Sequence, residues 1–266
     1  MKSAFKKFTC SVLSITMALG CTMTSLADWK KDDIGMWWED ADGYYPRAEG
    51  GELFIDVYLP DSEYGRQRYY FDSQGYLITN TTLHFESHFL NSTQTWDVKI
   101  GKNGQSITDT PPAKVIFPKP FDDSSASNEM LNSTYASLLG RDVLFAESIL
   151  GKPVKIETDG DIIRSYADGS ELSFYAGIVT DLKTPIGNVL NFTKDTYHPD
   201  ELESLLGWPR SSMQWGGFPG SADYFRWTMP DAEFQTTLSV YGDPYLPTEI
   251  SRNTICRFCM DFILID

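Results

Sequence analysis

Few residues of this 266-residue chain carry chemistry by their type and spacing. Cys256 and Cys259 have the gap of redox and metal motifs. His84, His88 and His198 are the three histidines, and Asp40-Ala41-Asp42-Gly43 opens like a calcium loop. The neighbours of each argue for something plainer. Residues 255–265 alternate Cys256, Phe258, Met260, Phe262 and Leu264 against Arg257, Cys259 and Asp261, which is the period of a strand. On a strand the two sulfurs face opposite ways, with Cα atoms about 10 Å apart at about 3.3 Å per residue. That exceeds the roughly 7 Å reach of a disulfide, so two separate thiols are expected. His84 and His88 would share a face only on a helix, whereas their Thr- and Phe-rich surroundings predict a strand or loop, and no metal site is expected. His198 stands before Pro199 and Asp200, where it marks the start of a helix. The acidic pair at 40 and 42 lacks the later ligands and closing Glu of a twelve-residue loop, which leaves a tight turn. No serine lies in a Gly-x-Ser-x-Gly elbow, and no spacing singles out a carboxylate pair among the 37 acidic residues. The chain therefore reads as non-enzymatic, with no catalytic residue and no cofactor.

Charge narrows the partners. Lys and Arg number 22 against 37 Asp and Glu, a formal charge of −15, which disfavours phosphate backbones and anionic lipid surfaces. Neither nucleic acid nor a membrane is an expected partner. Lys2, Lys6 and Lys7 precede an apolar stretch at about 12–19, and Ser25-Leu26-Ala27 supplies small residues where a signal peptidase reads, so 1–27 is expected to be a cleaved signal. A lipoprotein signal ending at Cys21 is the alternative. Cleavage after Ala27 removes three lysines and no acid, taking the charge to −18. Cys10 and Cys21 leave with the signal. The mature protein is thus expected to be secreted or held at the cell surface.

The elements follow from pattern. Between Trp29 and Tyr76 there are 12 aromatic residues in 48, punctuated by turn pairs. Trp37-Trp38, a turn at Ala41-Asp42-Gly43 and Tyr44-Tyr45 predict a hairpin. Tyr69-Tyr70-Phe71, Asp72-Ser73-Gln74-Gly75 and Tyr76-Leu77 repeat that grammar, with a strand expected through Leu53, Ile55, Val57 and Leu59 and another through Trp96, Val98 and Ile100. Residues 101–130, rich in Pro and Ser, read as an extended linker in which 115–117 can dock on a neighbour. Beyond it Ala146-Glu147-Ser148-Ile149-Leu150-Gly151-Lys152-Pro153 aligns with Leu202-Glu203-Ser204-Leu205-Leu206-Gly207-Trp208-Pro209, 56 residues later. Each is a helix end, with apolar residues at i, i+3 and i+4, a left-handed glycine cap and a proline that stops continuation. Pro199, Asp200 and Glu201 suit the first turn of the second helix. After each helix the period drops to two, giving about three antiparallel strands, with a hairpin turn at Asp168-Gly169. The expected class is α+β: an N-terminal β-hairpin module over 28–100, the linker, and two tandem helix-plus-three-strand units over 131–186 and 187–266.

Two resemblances carry these patterns toward function. The run Gly35-Met36-Trp37-Trp38-Glu39-Asp40-Ala41-Asp42-Gly43-Tyr44-Tyr45-Pro46, followed by Tyr69-Tyr70-Phe71-Asp72-Ser73-Gln74-Gly75-Tyr76, resembles the cell-wall-binding, or choline-binding, repeats of Gram-positive surface proteins. That resemblance implies hairpins whose aromatics hold a quaternary ammonium or a glycan, with Trp37, Trp38, Tyr44, Tyr69, Tyr70 and Tyr76 as ligand-binding residues. The tandem helix ending in Leu-Leu-Gly-x-Pro before a small meander resembles the β-lactamase inhibitory protein-like fold and the related BamE-like lipoproteins. It implies capture of a protein partner, often on an exposed sheet face, and the expected contacts are Trp208, Trp215, Phe218, Tyr224 and Trp227. Together they describe an exported envelope protein that binds a wall polymer, choline or carbohydrate, through one part and a secreted or surface protein through the other. A wall-active hydrolase and an inhibitor of a secreted enzyme are the alternatives.

Overall fold

The computed structural model describes residues 27–265 apart from 62–64, 90–91, 108–113, 117–119, 122–128, 214–223, 231–233, 243–245 and 262. The expected signal up to residue 26, and the boundary expected near 128, lie outside the described residues. In chain order the elements are β1 (Asp28–Lys31), β2 (Met36–Glu39), β3 (Ile55–Asp61), β4 (Gly65–Phe71), β5 (Thr81–Phe89), β6 (Ser92–Ile100) and β7 (Lys114–Ile116). Then come α1 (Ser133–Ala136), α2 (Val143–Leu150), β8 (Lys155–Asp159), β9 (Asp161–Ser165), β10 (Glu171–Tyr175), β11 (Ile178–Pro185), α3 (Ile186–Val189) and β12 (Thr196–Tyr197). The last are α4 (Pro199–Leu206), β13 (Arg210–Met213), β14 (Tyr224–Thr228), β15 (Thr236–Tyr241), β16 (Ile250–Ser251), β17 (Ile255–Met260) and β18 (Ile263–Ile265).

The chain is mostly β. An eight-stranded antiparallel sheet in the order β13-β14-β15-β17-β11-β10-β9-β8 is its centre, and five two-stranded sheets surround it. Each of the two longer helices leads into four of the eight strands, where three were expected: the short edge strands β8 and β13 carry too little apolar alternation to stand out. β11 and β17 meet in the middle through pairs from Asp181↔Cys259 to Pro185↔Ile255. Helix ends follow the expected chemistry. Pro199 is the first residue of α4, His198 Nδ1 accepts from the Asp200 N–H at 3.3 Å, and Glu201 accepts from the His198 N–H at 2.9 Å, a capping box. Asp142 caps α2. Leu202 and Leu206 are buried as the spacing requires, but Leu205 is 45% exposed.

The register explains what is inside. One row across the sheet runs Trp227, Leu238, Phe258, Leu182, Leu172, Arg164, Ile156. Its apolar members share a core with Val143 and Ala146 of α2 and with Leu202 and Leu206 of α4. Trp208 and Phe121 both pack on Phe258, at 6.3 and 5.8 Å between ring centroids. Phe121 lies in the stretch read as linker, and so does β7, which pairs Val115 with Leu264 of β18. Cys256 is buried in the same core and Cys259 is on the opposite face, both as free thiols, as the strand alternation predicts.

Arg210 continues this row onto β13 at the sheet edge, where it pairs with Asp200, and the row has one charged residue in its interior. Arg164 is fully buried, and its guanidinium donates to Asp40 Oδ2 at 2.8 Å, to Asp42 Oδ1 at 3.1 Å and to Asp42 Oδ2. The Tyr44 ring lies 5.5 Å from it and the Phe174 ring 5.4 Å. The two acids expected only to make a turn thus also neutralise a core cation, and the N-terminal module shares one hydrophobic core with the large sheet: Trp38, Val57, Leu59, Tyr69 and Phe71 belong to the same cluster as Leu172 and Phe258. Burial pushes the Asp40 carboxyl above its usual range against the pull of Arg164, whereas for Asp42 the hydrogen bonds and charge of Arg164 outweigh burial and hold it below. Removing one partner of a buried ion cluster costs about 3–5 kcal/mol. Arg164→Met is expected to lower unfolding free energy in urea at pH 7 by that amount. The stability supplied by Asp42 is present above its unfolded pKa of about 3.9 and lost as pH falls through the lower folded value, whereas Asp40 acts with the opposite sign. The gap between wild type and variant should therefore narrow below about pH 4.

Candidate functional site

The N-terminal module is built from one local device used three times. After β2, the Asp40 N–H donates to Tyr44 O and the Gly43 N–H to Asp40 O. The same pair of bonds joins Asp72, Gly75 and Tyr76 after β4, and Gly101, Gly104 and Gln105 after β6. This is a three-residue loop closed by a residue of positive φ, which glycine supplies without strain. Successive copies fit into one another. A Cβ on Gly75, at φ +86°, would meet the Tyr45 ring at 2.7 Å, and one on Gly104, at φ +78°, would meet the Leu77 side chain at 2.5 Å. In both places the residue two after one turn glycine sits on the next turn glycine. The third copy, Gly101-Lys102-Asn103-Gly104, lacks aromatics and acids, which is why the aromatic grammar did not reveal it.

The strands pair differently from expectation. Trp37 and Trp38 belong to β2, whose partner is β1 with Trp29 opposite Trp38; residues 44–49 form no strand. β4 pairs with β3, and Leu77 returns only as a single bridge to Phe71. Leu53 precedes β3 and is 85% exposed. These pairings divide the six expected ligand-binding residues. Trp38, Tyr69 and Tyr70 are buried, Tyr70 in a small second core with Leu83 and Ile100. Tyr44 is half-buried, bonded through its hydroxyl to Thr158 at 2.9 Å and packed on Arg164. Trp37 and Tyr76 are half-buried as well, edge to face at 6.2 Å between centroids, with the Tyr76 hydroxyl donating to Asp32 at 2.8 Å. Burial of three aromatics has a simple cause: thin β layers fill their interior with large rings. A further pair not singled out from the sequence, Phe85 and Trp96, stacks across β5 and β6 at 5.3 Å, with Trp96 47% exposed.

The large sheet has one packed face and a second face that is open over much of its width, with Thr237 and Ser239 of β15 buried on it. On the open face the register places Ser211, Arg226, Ser239, Arg257, Lys183, Glu171, Ser165 and Lys155 in one line across all eight strands. Arg257 pairs with Asp181, and Lys183 with Glu171 at 2.9 Å. Arg226 lies over the Tyr224 ring at 5.2 Å, and Tyr224 leans on Tyr241 at 5.4 Å. A shallow cavity of about 380 Å³ lies among Ile163, Ser173, Tyr241, Ile255 and these ion pairs. Of the five expected interface residues, Tyr224 is on this face. Trp208 and Trp227 are core residues on the packed side, with 4% and 0% exposure, and Trp215 and Phe218 lie outside the described residues. Cys259 donates to Asp181 at 3.4 Å, and burial together with that carboxylate pushes its thiol pKa up, so it stays protonated. His84 sits on β5, bonded to Asp97 at 2.6 Å. No group of three His, Cys, Asp or Glu able to hold a metal ion occurs among the described residues, and no helix there is long and apolar enough to cross a membrane.

Comparison with known proteins gives no match to a protein-family model, a curated protein or a solved structure.

The contrast between adjacent tryptophans is directly measurable. Trp38→Ala should destabilise by about 3–5 kcal/mol as a large-to-small core change. Trp37→Ala, at a half-buried position, should cost less, about 1–2 kcal/mol in the same urea titration.

Proposed function

We propose that this chain is an exported bacterial envelope protein that works by binding, and that its principal working surface is the open face of the eight-stranded sheet. The observation that carries this reading is the composition of that face. Arg226, Arg257 and Lys183 run in line beside Tyr224 and Tyr241, with Ile255 45% and Tyr241 39% exposed. Tyr and Arg flanked by apolar groups are what protein interfaces use as anchors. The succession of a helix and four strands, used twice in one sheet, supports the resemblance to the β-lactamase inhibitory protein-like and BamE-like folds, whose members bind proteins on such a face. The partner is a secreted or surface protein with acidic groups that can exchange with Asp181 and Glu171 for these cations.

A second surface is favoured by the repeated turn. Three copies seated glycine on side chain are the behaviour of stacked hairpin repeats, and they support the wall-binding reading, with the half-buried Trp37 and Tyr76 as its aromatic pair. Wall polymer, through choline or sugar, is the ligand of that surface.

The two surfaces separate experimentally. A photo-crosslinking residue in place of Tyr241 should give one discrete adduct with a surface protein of the producing cells, whereas the same group in place of Leu205, on the helical side, should give none. Arg257→Glu with Lys183→Glu should abolish the Tyr241 adduct without lowering the melting temperature by more than a few degrees. Sedimentation with purified Gram-positive walls should fall at least several-fold in Trp37→Ala and in the presence of excess choline. Adducts of equal strength from positions 241 and 205 would remove the open face as the working surface.

A further inference from the structure

A further cavity lies on neither proposed surface. It is an open cleft of about 560 Å³ at one end of the central strands, between the β9–β10 turn, α3, the segment after α3 and the turn before β17. Its size falls within the range of small-ligand sites, and its lining is mostly hydrogen-bonding groups. Tyr135, Asp168, Asn188, Asn191, Thr193 and Arg252 line it.

One wall of the cleft is held by a chain of hydrogen bonds that no packing demand explains. Asn188 Nδ2 donates to Thr184 Oγ1 at 2.9 Å, Thr184 and Ser170 share a bond at 2.8 Å, and Ser170 Oγ donates to Asp168 Oδ2 at 2.9 Å. Ser170 and Thr184 are fully buried, so with Ser170 committed to the carboxylate the Thr184 hydroxyl must donate to Ser170. Every donor in the series therefore runs toward Asp168. From the other side the Tyr135 hydroxyl donates to Asp168 Oδ2 at 2.5 Å, and the Ser170 N–H reaches Oδ1 at 3.0 Å. Although burial alone would raise the Asp168 pKa, these bonds outweigh it and hold the carboxyl ionised, while burial and the contact with Asp168 push the Tyr135 phenol up to about 12. A saturated network of this kind fixes the orientation of the groups at its ends. Asn188 has its amide nitrogen anchored, and its carbonyl oxygen makes no bond among the described residues.

Arg252 supplies the contrast. It is exposed on the turn before β17, lines the cleft, and has no ion-pair partner among the described residues of a chain of net charge −15. Its backbone is pinned against α3, where the Gly187 N–H donates to Arg252 O at 2.9 Å, at a spacing too close for a Cβ at position 187. Phe192, packed edge to face on Tyr197 at 5.0 Å, adds a ring at the cleft border. The cleft thus offers one unneutralised guanidinium, a fixed carboxylate and amide, and a ring, with no deep apolar pocket for a hydrophobic side chain. Vicinal hydroxyls, each both donor and acceptor, satisfy the carboxylate and amide together, and the guanidinium calls for an anionic group on the same ligand.

We propose that this cleft binds an acidic saccharide, with Arg252 pairing with a sugar carboxylate and Asp168 and Asn188 taking hydroxyls of the same or the adjoining sugar.

The test uses calorimetric titration of the full chain with trigalacturonate, with its methyl ester and with an acetylated dialanine as a carboxylate-bearing peptide. Trigalacturonate should bind at least about tenfold more tightly than the ester, the size expected from one charge-assisted pair. Arg252→Ala should erase that preference while leaving binding of the ester unchanged, and Arg252→Lys should keep part of it. Arg252 is exposed, so an unchanged melting temperature is expected for both variants. Equal affinity for acid and ester, a preference that survives in Arg252→Ala, or no saccharide binding at all would each overturn the proposal. Binding of the peptide in preference to both sugars would overturn it in favour of a site for a chain terminus. The crosslink at position 241 should be indifferent to Arg252→Ala, which keeps failure here distinct from failure of the open-face reading.

Discussion

A single cation in an apolar row determines how this molecule is assembled. Arg164 stands between Leu172 and Ile156 on the packed face of the large sheet, where an unneutralised guanidinium would be prohibitive. The turn at 40–43 brings two carboxylates, 122 and 124 residues away in sequence, to the one place that needs them. Ring faces from Tyr44 and Phe174 flank the same group. Once that turn is fixed, β2 and its partner β1 are fixed with it, and the N-terminal aromatics fall against the end of the sheet. The parallel bridge between Val57 and Gly160, with the Tyr58 N–H bonded to Gly160 O, then lays β3 along the β8 edge. Residues 28–77 and the large sheet consequently contribute to one core, while the β5–β6 hairpin packs on a small second one.

What could be read from the sequence was what is encoded locally. The cap at His198, the turn at Asp168-Gly169 and the opposite faces of Cys256 and Cys259 all depend on neighbours within a few residues, and the residues state them directly. Pairing across distance was not so stated. Alternation tells which side chains share a face but not what covers that face, so Trp38, Tyr69, Trp208 and Trp227 looked equally suited to a ligand, a partner or a core. Arg164 shows the limit most sharply: within a strand of pattern Asp-Ile-Ile-Arg-Ser nothing marks it as interior, because its reason for being interior lies at positions 40 and 42. The open face and the cleft were hidden for the same reason, since Tyr241, Ile255 and Arg252 become neighbours of Lys183, Asp168 and Asn188 only through the β11–β17 pairing and the turn beside it.

The distribution of polar groups separates structure from recognition. On the packed side buried polar groups are few, chiefly Arg164 with its two acids and the Ser170–Thr184 pair. On the open side charge is plentiful but balanced locally, Arg257 by Asp181 and Lys183 by Glu171, so that a partner can compete for these ions without leaving buried charge behind. The acidic excess of the chain is spread elsewhere.

The pairing of β7 with β18 closes the molecule. Residues 114–116 join the two halves of the chain in sequence, and their only strand partner among the described residues is 263–265, next to the last residue. β7 also lies beside β4, so the N-terminal module completes its surroundings through a segment that the end of the chain holds in place. Closure by so distant a contact is intrinsically slow, so the N-terminal module reaches its final surroundings only after β18 has come back onto β7.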